Sequence, residues 1–76
     1  MAKYQGHRSW AAWSVSLWIN NEEGLYRLAK HYARKAQNRD EAAQFMLEDL
    51  QQGGITHTPD GAKYSKNTIK LAMRGM

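Results

Sequence analysis

The sequence predicts a mainly α-helical single domain over residues 1–76, a compact bundle of three to four short helices, with a small β-hairpin around residues 55–64 left open. Three observations carry this expectation. Apolar residues recur at helical spacing through much of residues 10–50. Ser9, Asn21, Asn38 and Ser65 each precede a helical run, where a side-chain oxygen can satisfy the free amides of a first turn. Gly53 and Gly54 follow the third run, where glycine closes a helix at little steric cost. A chain of this length buries only roughly 60% of the surface that it exposes when unfolded, so every element has to contribute to one core.

Residues 1–8 (Met-Ala-Lys-Tyr-Gln-Gly-His-Arg) have no period and read as a flexible lead-in. Trp10, Trp13 and Leu17 then form an i, i+3, i+7 series behind Ser9, which argues for a first helix. Val15, Leu17 and Ile19 also alternate with Ser14, Ser16 and Trp18, a strand period in residues that favour strands. The helix is the preferred reading of this stretch. Because the chain is short of core material, at least two of the three tryptophans are expected inside, with Trp18 the candidate for an exposed protein contact.

Asn21 is expected to cap a second helix, with Glu22 and Glu23 complementing its dipole. Leu25, Leu28, Ala29, Tyr32, Ala33 and Ala36 share its inner face, and Arg27, Lys30, His31, Arg34 and Lys35 its outer one. Asn38 with Glu41 reads as a capping box for a third helix that turns Ala43, Met46, Leu47 and Leu50 inward. Past the glycines, Thr58-Pro59-Asp60-Gly61 is a turn, and Ile55–His57 and Ala62–Tyr64 are the arms of the hairpin. Ser65 opens a last helix with Thr68, Ile69, Ala72 and Met73 on its packing side and Lys66, Lys70 and Arg74 along one free side.

Composition narrows the chemistry. The chain has no Cys, which excludes disulfides and thiolate metal sites. No apolar run approaches the roughly 20 residues of a membrane-spanning helix and no secretory pattern is present, so no membrane partner and a cytoplasmic location are expected. His7, His31 and His57 fall in three different elements without ligand spacing, and the paired acids at Glu22/Glu23 and Asp40/Glu41 sit where helix first turns favour negative charge. The expectation is no enzyme, no catalytic or metal residues and no cofactor.

Net charge is +4, with basic ends and an acidic middle at residues 38–52, which suits one polyanion-facing surface. Lys66, Asn67, Lys70 and Arg74 offer cations for phosphates and groups able to bond base edges, with Thr58, Lys63 and Tyr64 near the backbone of a bound duplex. Arg27, Lys30, Arg34 and Lys35 form a second basic face, and homodimerisation is left open. Duplex DNA is favoured over single strands as the partner.

Leu50, Gly54, Ile55, Thr58, Pro59, Gly61, Ser65, Thr68 and Ile69, with Tyr64 at a position usually held by Trp, resemble the DNA-binding recombinase domain of large serine recombinases. An extra residue lies between Ile55 and Pro59, Ala72 is smaller than the usual aliphatic, and the chain has no room for the catalytic domain of that family. The resemblance therefore implies DNA binding without strand cleavage. Trp13, Val15, Leu17, Trp18, Ile19, Asn21, Glu23, Gly24, Leu25 and Tyr26 resemble a module of uncharacterised small proteins from bacteriophages and haloarchaea. That likeness implies a mobile-element origin and admits a second class of function: an anti-CRISPR-type inhibitor that binds a host defence protein complex.

Overall fold

The computed structural model describes residues 9–74, so the expected lead-in at residues 1–8, including His7, lies outside the described residues. Four helices follow one another: α1 (Trp10–Asn21), α2 (Glu23–Lys35), α3 (Arg39–Gln52) and α4 (Lys66–Ala72). Ser9 caps α1 by accepting from the amide of Ala12 at 3.1 Å. The segment that could be read as helix or strand is helical, because its buried residues Ala12, Val15 and Ile19 recur at i, i+3 and i+7.

That packing stripe is not the one expected. Trp10 and Leu17 are exposed, Trp13 and Trp18 are half-buried, and no tryptophan belongs to the buried core. The reason is steric. Small and β-branched side chains on the inner face of α1 let its neighbours approach closely, whereas indoles there would hold short helices apart.

Asn21 ends α1 rather than capping α2, its amide donating to the carbonyl of Leu17 at 2.8 Å. Glu22 takes the capping role, its carboxylate accepting from Gly24 and Leu25. At α3, Asn38 accepts from the Glu41 amide at 2.8 Å, while Glu41 reaches back to the amide of Gln37, one residue before the position that a capping box uses. Gly54 stands at φ 78°, and the Ile55 and Gly54 amides donate to the carbonyls of Leu50 and Gln51 at 2.8 and 3.0 Å. These bonds make the Schellman closure that the glycine pair anticipated.

The expected hairpin contracts to a turn. Gly61, at φ 96°, donates to Thr58, and two further backbone bonds join Thr58 to Ala62 and Tyr64 to Thr56, yet only His57 and Lys63 form a bridge and no strand occurs among the described residues. Each arm is short, and Thr58 and Tyr64 turn their side chains into the helices instead of extending a ladder. Ser65 then starts α4 with a reciprocal cap, accepting from the Thr68 amide at 3.2 Å while its own amide donates to Thr68 Oγ1 at 3.0 Å.

Packing runs around a ring in which α1 touches α2 and α4, and α3 touches α2 and α4. The diagonal pairs, α1 with α3 and α2 with α4, make no close backbone approach among the described residues. Val15, Ile19, Ala43, Met46, Leu50, Tyr64, Ile69 and Met73 belong to one buried cluster.

Candidate functional site

The basic side of α4 is the first surface that the sequence proposes. Lys66 Nζ stands 2.7 Å from Asp40 Oδ2, and Lys70 Nζ 3.6 Å from Oδ1 of the same carboxylate. The Lys66 hydrogen bond, helped by the charges of both lysines, holds the Asp40 carboxyl below its ordinary range. Two of the three regularly spaced cations therefore spend part of their charge on α3. Asn67, Lys70, Arg74 and Lys63 are exposed, and Lys66 is half-buried.

Thr58 and Tyr64 do not join them. Each is 3% exposed, so neither presents its side chain to a nucleic-acid backbone. Thr58 Oγ1 lies 2.9 Å from Ser14 Oγ and accepts from the amide of Ala62 at 3.1 Å, a role in holding the turn against α1. Burial pushes the Tyr64 phenol above its ordinary pKa.

The second surface is the outer face of α2. Arg27, Lys30, His31, Arg34 and Lys35 line a shallow depression with Glu23 and Tyr26. Glu23 pairs with Arg27, and Lys30 Nζ lies 5.4 Å from the centre of the Tyr26 ring. The backbones of α2 and α4 make no close approach among the described residues.

The third surface is on α1. Taking each residue as a turn of about 100° places Trp10, Trp13 and Leu17 on one outward stripe, opposite Ala12, Val15 and Ile19. Trp10 is 41% exposed and Leu17 38%. No charged residue occurs anywhere in Trp10–Asn21. Trp18, the expected protein contact, instead sits on the flank of the helix, half-buried, with its indole N–H donating to Asp60 Oδ2 at 2.9 Å. Ser14 and Trp18 converge on Asp60, and the Trp10 ring passes close to Gly61, so this flank is the seat of the 58–61 turn.

Among the described residues no three His, Asp or Glu side chains gather closely enough to hold a metal ion, and His31 and His57 stand on separate elements. Among the described residues no helix is long and apolar enough to cross a membrane.

The chain belongs to the DUF7249 family. Its family model, described as a family of unknown function, matches residues 1–76. No curated protein and no solved structure matches the chain.

Sequence reasoning missed Asp40 as the partner of the α4 lysines, and Trp10, Trp13 and Leu17 as an outward surface. For Asp40 there was no signal, because its place in a helix first turn already accounts for it. For α1 a signal existed in an uncharged helix with large apolar residues on more than one face, since a small domain has only one inside to which such a helix can turn.

Proposed function

We propose that this protein acts by binding another protein without catalysis, and that the outward stripe of α1 is its docking surface. The observation that carries the reading is the i, i+3, i+7 placement of Trp10, Trp13 and Leu17 directly opposite the buried face of their own helix. An amphipathic helix inserted into an apolar groove uses this spacing, and Trp is the side chain most enriched among residues that dominate interface energetics. α1 is held by packing with α2 and α4, so little ordering cost remains to be met on binding. A mobile-element inhibitor of a host defence complex, working in the cytoplasm, is the biological setting that this reading favours.

Tagged protein expressed in cells should co-purify with a defined partner complex. Trp10→Ala combined with Leu17→Ser should abolish that capture while the domain remains folded, at some cost in melting temperature from the lost contact of Trp10 with the 58–61 turn. Retention of the same partner by the folded double variant refutes the assignment.

Duplex DNA binding is the second reading, supported by the net charge of +4 and by the exposed Lys63, Asn67, Lys70 and Arg74 around α4. Asp40 makes it testable in an unusual direction. Asp40→Asn frees Lys66 and Lys70 from their shared carboxylate, so duplex affinity should rise and its salt dependence steepen by roughly 1–2 in the slope of log affinity against log salt. No duplex binding at low salt by either protein removes this reading and leaves the first untouched.

A further inference from the structure

We propose that a second copy of this chain docks on the outer face shared by α2 and α3, forming a two-fold dimer in which α2 of each protomer lies over α3 of the other. The face is divided by charge. Its α2 half presents Arg27, Lys30, Arg34 and Lys35, and its α3 half presents Glu41, Glu48 and Asp49 around Phe45, which is 41% exposed. Although the two helices are neighbours, no ion pair joins them among the described residues; the pairs present are Arg27 with Glu23 and the two lysines on Asp40. Both halves therefore keep most of their charge for something outside the chain.

The connection at residues 36–38 makes α2 and α3 an antiparallel pair. Tyr32 fixes their relative height, its hydroxyl donating to Asp49 at 3.0 Å and its ring lying 6.0 Å from that of Phe45. A two-fold axis running between the helices and parallel to them exchanges their positions without changing height. Lys30 of one copy then meets the level of Asp49 of the other and Arg27 that of Gln52, while Arg34 and Lys35 meet the level of Phe45 and Gln44, between Glu41 and Glu48. The same contacts form twice, as an isologous interface requires. Phe45 of each copy lies beside the axis, supplying the apolar centre that a purely ionic surface lacks.

Size sets the strength. Helices of this length extend roughly 20 Å and lie about 10 Å apart, giving a face on the order of 400 Å². That is about half of the ~800 Å² per partner in a standard stable interface. The dimer should be weak, salt-sensitive and visible only at high protein concentration. It uses none of the outward α1 stripe, so it stands or falls apart from the function proposed above.

Sedimentation velocity on the full chain tests it. Wild type should shift from monomer towards dimer with rising concentration at low salt, and return to monomer at high salt. Arg27→Glu with Arg34→Glu makes the face net acidic; Glu48→Lys with Gln52→Lys makes it net basic and leaves the Tyr32–Asp49 bond in place. Each double variant alone should be monomeric, and an equimolar mixture of the two should form a heterodimer, which also demonstrates that both remain folded. Three results overturn the proposal: a wild type that is monomeric at every concentration, a dimer that survives either variant alone, or a mixture that does not associate. A monomeric wild type that binds duplex DNA through Arg27 and Arg34 also overturns it, and assigns the α2 face to a polyanion instead.

Discussion

Thr58→Val keeps the shape of a buried side chain and deletes one hydroxyl, and it should be among the costliest conservative changes in the turn that joins α3 to α4. The hydroxyl accepts from the amide of Ala62 at 3.1 Å and shares a hydrogen bond with Ser14 Oγ at 2.9 Å. Ser14 in turn donates to Asp60, the carboxylate that also receives the Trp18 indole N–H. Each bond contributes about 0.5–1.5 kcal/mol net, and a buried donor left without a partner costs about 1–3 kcal/mol. Losing the hydroxyl removes two bonds and orphans the Ala62 amide, so Thr58→Val should cost about 2–3 kcal/mol.

A domain of this length has about 4–11 kcal/mol of stability in total, and each kcal/mol shifts the melting midpoint by about 4–8 °C. Ser14→Ala should cost about 1–2 kcal/mol, because the Thr58 hydroxyl then loses its nearest partner. The two changes together should cost about 1 kcal/mol less than their sum, since each already removes the bond between them. Urea denaturation of the four proteins in this cycle measures that coupling. Additive costs, or a Thr58→Val cost below about 0.5 kcal/mol, would refute the view that the buried hydroxyl pair fastens the turn to α1.

Three further outcomes are expected. Leu50→Ala, at a fully packed site, should cost about 2–5 kcal/mol in thermal melts, Leu47→Ala distinctly less because it is only half-buried, and the reverse order would mean that α3 is rotated about its axis. Gly54→Ala meets open space but must hold φ 78°, so chemical denaturation should register a cost of about 1–2 kcal/mol from backbone strain alone. The phenols of Tyr64, raised by burial, and Tyr32, raised mainly by its hydrogen bond to Asp49, add stability that is complete below pH of about 10 and lost as pH rises through their folded values; Tyr64→Phe should flatten that alkaline loss, and an unchanged profile would contradict it.

What the sequence determined by itself is the local grammar of the chain. Ser9, Asn38 and Ser65 cap helices, Gly53 and Gly54 close one, and Gly61 completes the turn after Pro59, because each of these acts within a few residues of its own position. The inner faces of α3 and α4 were legible for a similar reason: apolar and polar residues there separate by helical period, and Met46, Leu50, Ile69 and Met73 are buried as the pattern requires. Only the tertiary structure decided matters that depend on which element meets which. α1 carries no charge and has apolar residues on more than one side, so its pattern could not say that Ala12, Val15 and Ile19 turn inward and that Trp10, Trp13 and Leu17 turn out. Asp40 and Lys66 are far apart in the chain, and their pairing follows from α4 returning beside the start of α3. The ring of contacts likewise set the backbones of α2 and α4 apart, because which helices become neighbours depends on the path of the chain between them and not on either helix alone.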